Sequence, residues 1–262
     1  MYEKSEANKR NSVVVIMPAY NAARTLEKTY RAIPYGAVDE IILVDDASRD
    51  DTLAVAHTLP IRVFKHKRNY GYGANQKTCY TEALKTDNDI IVMLHPDYQY
   101  DPSLLPTLIA PIAEGRSDIV LGSRLMGKSP VAQGMPWWKY LGNRLLTRLE
   151  NIVFGLHLSE YHTGYRAYAR RVLEEVHYEM NSDKFVFDQE FIAQAVCNKY
   201  RIVEVPVPTK YFPEASSASF RASVVYGFSI LFLLARYLLH RNGWVCSMQF
   251  ESLPRRYKTA VR

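Results

Sequence analysis

The chain has 262 residues, of which 48% are hydrophobic and 23% are charged, and its formal net charge is +6. This length suits one large α/β domain, and the ordinary composition excludes wholesale disorder. Because residues 39–51 are strongly acidic and no RNA- or DNA-binding motif is present, we expect no nucleic-acid partner. The three cysteines are odd in number and widely spaced, which indicates a reducing compartment without a disulfide framework.

The first 122 residues alternate short apolar runs with segments of helical spacing. Residues 1–12 are polar, carry no signal-peptide pattern and are predicted to be a disordered tail. The alternation that follows predicts βαβ units and a mostly parallel sheet in an α/β fold. The predicted strands are Val13–Met17, Ile41–Val44, Ile61–Phe64, Ile90–Leu94 and Ile119–Leu121, and the predicted helices are Ala22–Ile33, Asp51–Leu59, Ala74–Leu84 and Leu104–Ala113.

Polar side chains follow the first two predicted strands. Pro18 has no N–H to donate and is expected to end the first strand, which leaves Tyr20 free to face a ligand. Asp45 and Asp46 end the second strand and point in opposite directions, so at most one of them faces a given ligand. Asp46 could accept hydrogen bonds from a base N–H or a ribose hydroxyl.

The strongest signal follows the fourth predicted strand. His95, Asp97 and Gln99 supply an imidazole nitrogen, a carboxylate and an amide oxygen within five residues. This set could hold a divalent cation at the edge of the sheet where open α/β folds bind ligands. The alternative is an ordinary polar loop after a strand, in which Pro96 and Pro102 break the regular structure.

Two later segments are rich in apolar residues. Pro130–Leu158 combines Trp137 and Trp138 with three basic residues at helical spacing, which is typical of a helix lying in a membrane interface. A core-packing helix is the alternative. Ala222–Ala235 carries no charge but falls short of the roughly 20 residues of a spanning helix, so a second interfacial helix, or one that docks on a membrane partner, is favoured over a true span. A basic C-terminal end follows it.

The order of these motifs resembles the family 2 glycosyltransferases, and within them the polyprenyl-phosphate (dolichyl-phosphate mannose synthase-type) sugar transferases. The resemblance covers about residues 13–225. The motifs that carry it are Pro18-Ala19-Tyr20-Asn21, Val44-Asp45-Asp46-Ala47-Ser48-Arg49-Asp50-Asp51-Thr52, Asn69-x-Gly71-x-Gly73-Ala74, Asp97-x-Gln99, Gly122-Ser123-Arg124, Thr163-Gly164-Tyr165-Arg166, Phe187-Asp188-Gln189-Glu190 and Glu204-Val205-Pro206.

The resemblance implies a GT-A fold, a nucleotide-diphosphate sugar donor and a divalent cation, Mn²⁺ or Mg²⁺. His95-Pro96-Asp97 stands where the family has Asp-x-Asp, and an imidazole in place of a carboxylate moves the preference towards Mn²⁺. The implied metal ligands are Asp97, Gln99 and His95. The implied nucleotide-sugar-binding residues are Pro18, Ala19, Tyr20, Asn21, Val44, Asp45, Asp46, Gly73, His95, Pro96 and Asp97.

The resemblance also suggests which residues act in catalysis. Asp97, Arg124 and Arg144 are the expected catalytic residues, and Arg124, Arg144 and Lys210 are expected to bind the acceptor phosphate. A lipid phosphate is already anionic and needs no general base. A hydroxyl acceptor would need one, and Asp188 or Glu190 would be the candidates.

The sequence therefore predicts an inverting glycosyltransferase, peripheral on the cytoplasmic face of the membrane, with a polyprenyl phosphate as acceptor. Transfer to a glycan or lipid hydroxyl, and a non-catalytic subunit that binds nucleotide sugars, remain open, as does a membrane-protein partner or a homo-oligomer. The expected organisation is a tail at 1–12, a GT-A domain at 13–221 with a membrane-facing segment at about 130–158, and a hydrophobic helix with a basic tail at 222–262.

Overall fold

The computed structural model describes residues 10–127, 130–131, 134–208 and 220–251. A seven-stranded sheet runs through it, flanked on both faces by helices. The strands are β1 (Val13–Ala19), β2 (Glu40–Asp45), β3 (Arg62–Lys65), β4 (Ile90–Met93), β5 (Ile119–Ser123), β6 (Arg166–Ala169) and β7 (Ile202–Pro206), in the order β3-β2-β1-β4-β6-β5-β7. The helices are α1 (Leu26–Arg31), α2 (Thr52–Ala56), α3 (Tyr72–Leu84), α4 (Leu105–Ala113), α5 (Trp137–Phe154), α6 (Arg170–Glu175), α7 (Phe187–Cys197) and α8 (Phe220–Arg241).

The sheet confirms the predicted mostly parallel α/β architecture. The five predicted strands are present, and β1 pairs in parallel with both β2 and β4. β6 is the exception, because it runs antiparallel to β4 and β5 on either side of it. Apolar side chains cover both faces: residues such as Val14 and Ile16 pack towards α3, α7 and α8, and their neighbours Val13 and Val15 pack towards α1 and α4.

Pro18 does not end the first strand as the sequence suggested. β1 continues to Ala19, with Pro18 opposite Val44 in the register with β2. The carbonyl of Ile16 accepts from Leu94 on the β4 side, and alternate residues of a strand bond to the same neighbour. Pro18 therefore faces β4, where the β1–β4 ladder has already ended at Met93, so its missing N–H removes no bond from the β2 ladder.

Helix α5 packs on the domain on one side and carries an exposed apolar stripe on the other. Its buried residues include Asn143, Thr147 and Glu150, whereas Trp137 is 70% exposed and Ile152 is 70% exposed. Phe154 belongs to the buried core and Leu149 and Val153 pack against it, so α5 is a core-packing helix that also has an outward apolar stripe. The other exposed apolar residues of this stripe are Leu141 and Leu145.

Helix α8 is longer than its uncharged stretch. It has 22 residues. By length and composition alone, it is the one helix among the described residues that could cross a membrane. One face packs on the protein through Ile230, Leu233 and Tyr237, while Phe228 and Phe232 point outwards. Arg236 is half-buried: its guanidinium donates to Gln249 and lies 5.8 Å from the centre of the outward Phe232 ring.

The structure describes only part of the two predicted terminal tails. Residues 1–9 and 252–262 lie outside the described residues. Arg10 donates to the carbonyl of Gly36, and the backbone N–H of Ser12 donates to Asp89 at 2.9 Å. Residues 10 and 12 are thus hydrogen-bonded to the domain.

Candidate active site

A cavity of about 1030 Å³ opens at the carboxyl ends of β1, β2 and β4. The parallel register brings Ala19 opposite Asp45 and Ile16 opposite Met93, so the residues that follow these strands meet at one edge of the sheet. The opposite wall of the cavity comes from the 162–164 segment, the 183–188 segment and the first turns of α8. The predicted donor-binding residues that line the cavity are Pro18, Ala19, Tyr20, Asn21, Asp46, His95, Pro96 and Asp97, together with Gln99.

The loops after β1, β2 and β4 each contain a non-glycine residue in the left-handed region. These residues are Asn21 (φ 52°), Ala47 (φ 57°) and Tyr98 (φ 58°). Such residues are uncommon and require local support. At Asn21 the support is visible: its N–H donates to Ser48 at 2.8 Å, and its side-chain oxygen accepts from the N–H of Arg49 at 2.8 Å. The motifs after β1 and β2 therefore hold each other in place.

Asp46 anchors the loop that precedes α3. Its carboxylate accepts from the N–H groups of Tyr70 and Gly71, both at 2.9 Å, and lies 2.7 Å from Nδ1 of His66. Both carboxylate oxygens are thus engaged, although Asp46 lies on the cavity wall. Asp46 therefore has a structural role in addition to its predicted contact with the donor.

Three other predicted donor-binding residues are not among the described residues that line the cavity. The carbonyl of Val44 accepts from the side chain of Asn75, and the buried carboxylate of Asp45 accepts from the N–H of Ser48. Gly73 packs where a Cβ would lie 2.2 Å from the carbonyl oxygen of Ser182. These residues shape the wall from behind.

The predicted metal-binding side chains lie together at the end of β4. Asp97, Gln99 and His95 all line the cavity, and Oδ1 of Asp97 accepts from the N–H of Gln99 at 3.0 Å. Nε2 of His95 lies 3.3 Å from the hydroxyl of Tyr72, and the two rings stack. The His95 ring also lies against Gly164, where a Cβ would come within 2.6 Å of it.

This donor set fits a divalent cation that takes part of its coordination from substrate. The described residues contain no cluster of three or more His, Cys, Asp or Glu side chains able to hold a metal. Mg²⁺ in particular is usually bound through one or two carboxylates, with phosphate and water completing the shell. Asp97 provides such a carboxylate, and Gln99 a neutral oxygen.

A buried network lies behind His95. Tyr72 donates to Asp188 at 2.7 Å, and Gln76 donates to the other oxygen of Asp188 at 3.0 Å. Burial first, and then the charge of Asp188, raise the pKa of Tyr72 well above its ordinary value, so the phenol stays protonated. The fully buried guanidinium of Arg166 lies 3.6 Å from Asp188 and compensates its charge.

The second candidate base, Glu190, is not among the described residues that line the cavity. Its carboxylate accepts from the N–H of Ser182 at 2.5 Å, and burial raises its pKa above the ordinary value. Of the two candidates, Asp188 alone is a described residue of the cavity wall.

Two of the three basic residues predicted to bind the acceptor phosphate lie away from the cavity. Arg124 is bound to the fully buried Glu160, with Nε at 2.9 Å from Oε1, and also donates to the carbonyl of His162. Arg144 is exposed on α5, and neither arginine is among the described residues that line the cavity. Lys210 lies outside the described residues.

Several residues of the cavity were not singled out from the sequence. Two are cationic: Lys184, and Arg221 at the start of α8. His162 and Tyr226 line the cavity as well, and their side chains lie 3.1 Å apart. Arg221 could have been noticed as the charge that precedes the uncharged stretch, whereas nothing local in the sequence relates Lys184 to α8.

Comparison with known proteins agrees with this architecture. The model of the family described as "Glycosyl transferase family 2" matches residues 14–177, which is more than half of the chain. The chain is a family 2 glycosyltransferase. The matched region includes β1 to β6 and the loops that carry Asp46, His95 and Asp97.

Two curated relatives carry names that describe an activity. The chain is 26% identical to the UDP-N-acetylglucosamine–dolichyl-phosphate N-acetylglucosaminyltransferase of Methanococcus voltae, over 85% of this chain and 94% of the relative. It is also 26% identical to the polyprenol monophosphomannose synthase of Mycolicibacterium smegmatis, over 74% and 76% of the two chains.

The fold resembles that of a solved transferase. Glucosyl-3-phosphoglycerate synthase from Mycobacterium tuberculosis, crystallised with Mn²⁺, uridine diphosphate and phosphoglyceric acid, superposes with a TM-score of 0.66. The match covers 87% of this chain and 78% of the synthase at 18% identity. This similarity, together with the family match, shows that the chain has the GT-A fold.

Proposed function

We propose that this family 2 glycosyltransferase moves a sugar, with inversion, from a nucleotide-diphosphate donor to a membrane lipid phosphate of the polyprenyl type. The observation that carries the proposal is the composition of the cavity. One wall consists of the loops after β1, β2 and β4, and the other includes the first turns of α8, the helix with an exposed apolar face. A lipid acceptor that follows α8 reaches the cavity opposite the donor side.

The membrane-facing surface supports this route. The outward stripe of α5 and the outward face of α8 belong to two helices that pack together, so the apolar surface is shared between them. Exposed contiguous apolar surface of this kind is typical of membrane contact. The names of the two curated relatives also describe transfer to, or formation of, polyprenyl phosphate derivatives. We place the protein on the cytoplasmic face of the membrane, as a peripheral enzyme.

We assign the charged residues of the cavity to two substrate groups, the acceptor phosphate and the donor diphosphate. Lys184 and Arg221 lie on the wall shared with α8, and we assign them to the acceptor phosphate in place of Arg124 and Arg144. Asp97 and Gln99, with His95 beside them, would hold a divalent cation, which supplies charge stabilisation for the departing diphosphate. The solved synthase with the same fold was crystallised with Mn²⁺ or Mg²⁺ and uridine diphosphate.

The proposed reaction joins the sugar to the acceptor phosphate and releases the nucleoside diphosphate of the donor. The acceptor oxygen attacks the anomeric carbon, and the bond to the diphosphate breaks on the opposite side, which inverts the configuration. Asp46 and the interlocked loops at Asn21 hold the donor wall rigid, so the donor is oriented before the attack.

The test compares acceptors that differ only in the phosphate. After UDP-, GDP- and dTDP-sugars have been screened as donors, transfer is measured onto a polyprenyl phosphate and onto the polyprenol of the same length. We expect transfer to the phosphate alone, giving a lipid product from which mild acid releases the sugar. Transfer to the polyprenol, or an acid-stable product, would refute the proposed acceptor.

The cation assignment has its own variants. Arg221→Ala and Lys184→Ala should each raise the KM for the lipid phosphate about tenfold or more and leave donor binding unchanged, because a charge-assisted hydrogen bond contributes about 1.5–3 kcal/mol. Arg144→Ala is the matched control, since Arg144 is an exposed cation on the neighbouring helix. If Arg144→Ala raises the KM and Arg221→Ala does not, the assignment is wrong.

A further inference from the structure

A carboxylate, an imidazole and a phenol are aligned on the α8 side of the cavity. Glu150 of α5 is fully buried, and neither of its oxygens has a hydrogen-bond partner in the described residues. Its Oε2 lies 3.2 Å from Nε2 of His162, whose Nδ1 lies 3.1 Å from the hydroxyl of Tyr226. His162 and Tyr226 both line the cavity.

The isolation of Glu150 requires an explanation. A buried carboxylate without hydrogen bonds is costly unless an opposite charge or a donor compensates it. The imidazole of His162 is the described group in a position to do so. Nε2 of His162 likewise has no hydrogen-bond partner in the described residues; a proton on Nε2 would face Glu150 and leave Nδ1 as the acceptor in the neutral ring.

The contacts of Gln189 are compatible with a hydrogen bond from Tyr226 to His162. Its side-chain nitrogen lies 3.2 Å from the carbonyl of Tyr161, 2.9 Å from the hydroxyl of Tyr226 and 3.1 Å from Nδ1 of His162. An amide nitrogen has two hydrogens for these three acceptors. With those hydrogens on Tyr161 and Tyr226, the proton of the Tyr226 hydroxyl points to Nδ1 of His162.

We propose that Glu150, His162 and Tyr226 form a relay that accepts the proton of the acceptor oxygen. Tyr226 is the catalytic member that touches the acceptor, while His162 and Glu150 act through it as positioning residues. The inference rests on the proposed function: an ionised lipid phosphate needs no base, so the relay acts while the attacking oxygen of the acceptor still carries a proton. A phosphate monoester carries one below a second pKa of about 6, and a hydroxyl carries one throughout.

The step is balanced as follows. The acceptor oxygen forms a bond to the anomeric carbon, and the bond to the diphosphate breaks with its electron pair on the diphosphate. The acceptor proton passes to the oxygen of Tyr226 while the proton of Tyr226 passes to Nδ1 of His162. The imidazolium is stabilised by Glu150 and returns its proton to solvent after the products leave.

The candidate bases named from the sequence are less suited to this task. Both oxygens of Asp188 are engaged by Tyr72 and Gln76, and Arg166 lies beside one of them. The charged and polar groups that face His162 are Glu150 from α5, Gln189 from α7 and Tyr226 from α8, and Arg124 donates to its carbonyl.

The test uses His162→Gln, Tyr226→Phe and Glu150→Gln of the full chain, with His157→Gln as the matched control because His157 is exposed. Calorimetry with the nucleoside diphosphate that the wild type binds reports whether each variant still folds its donor site. With a lipid phosphate, we expect kcat of His162→Gln and Tyr226→Phe to fall about tenfold at pH 5, where about a tenth of the acceptor has already lost its second proton, and to recover as the pH rises through about 6.

The outcomes separate the relay from the acceptor assignment. If the enzyme uses a hydroxyl acceptor instead, the relay predicts that the loss in kcat persists at every pH, and the proposed function alone fails. With a lipid phosphate, wild-type kcat in Tyr226→Phe below pH 6, or a loss that does not depend on pH while donor binding is intact, overturns the relay.

Discussion

The hydroxyl of Tyr72 lies 2.7 Å from Asp188 and 3.3 Å from the imidazole of His95. It connects the residue that replaces the family's first metal-site carboxylate to the buried charge pair of Asp188 and Arg166. Removing this hydroxyl leaves one oxygen of a buried carboxylate without its donor. Tyr72→Phe should therefore lower the free energy of unfolding by about 1–3 kcal/mol, measured in urea. Tyr35→Phe, at a fully exposed position, should leave it unchanged.

Asp97 is the single carboxylate of the predicted metal site. Asp97→Ala should lower kcat at least about 100-fold, which is the size of effect seen when a group that stabilises developing charge is removed. Asp87→Asn, which changes an exposed carboxylate on another loop, is the control. A normal rate in folded Asp97→Ala would disprove the assignment.

His95 tests the identity of the cation. His95→Asp restores a second carboxylate to the site, so the enzyme should remain active and shift its preference towards Mg²⁺. The measurement is kcat in Mg²⁺ and in Mn²⁺ for both proteins. If His95→Asp keeps the metal preference of the wild type, His95 is not a ligand.

Asp46 combines a structural part with a predicted contact to the donor. In Asp46→Asn an NH₂ group replaces one carboxylate oxygen. That group cannot accept the hydrogen bond from the N–H of Tyr70 or of Gly71, whichever it faces. We expect a lower free energy of unfolding and a donor KM that rises more than kcat falls, because contacts to the base are made equally in the ground and transition states. A fall in kcat alone would place Asp46 at the reacting centre.

Glu160 and Arg124 predict an acid-sensitive contribution to stability. Burial raises the pKa of Glu160, but the charge and hydrogen bonds of Arg124 outweigh it and hold the pKa below its ordinary value of 4.5. Because the folded pKa is the lower one, the stabilisation is complete above about pH 4.5 and is lost as the pH falls through the folded pKa. At pH 7, Glu160→Gln should cost about 3–5 kcal/mol of unfolding free energy.

The control for Glu160 is an exposed pair. Glu27 and Arg31 form an i,i+4 ion pair on α1 with both side chains more than half exposed, so Glu27→Gln should cost less than about 1 kcal/mol. Equal losses in the two variants would show that burial does not strengthen the Glu160–Arg124 pair.

The sequence was most informative where burial and periodicity coincide. The apolar runs of β1, β2, β4 and β5 are buried along nearly their whole length, so they could be recognised without knowing the topology. β6 begins with the buried Arg166, and an arginine in a strand core has no signature in a hydrophobicity pattern. β7 lies at the edge of the sheet, and Glu204 interrupts its apolar residues, so it contains no continuous apolar run like those of the predicted strands.

The cavity residues that follow strands could be predicted from the sequence, whereas those on the opposite wall could not. Donor-side residues follow strands, and strand order fixes where they meet. Arg124 was assigned by motif alone, and its partner Glu160 lies 36 residues away, which no local pattern reveals. The cavity wall that we assign to the acceptor depends on how α8 packs against the domain, so Arg221 and Tyr226 became candidates only in the folded chain.

The account depends most on an acceptor that reaches the cavity from a membrane. The direct measurement is the rate of sugar transfer to a polyprenyl phosphate in vesicles, at constant total acceptor but decreasing mole fraction in the bilayer, for the wild type and for Trp137→Ser with Phe228→Ser. The account predicts that the wild-type rate falls with the surface mole fraction and that the double variant loses vesicle binding, because each exposed aromatic side chain contributes about 2 kcal/mol of burial. A rate set by total acceptor concentration alone, equal in both proteins, would contradict it.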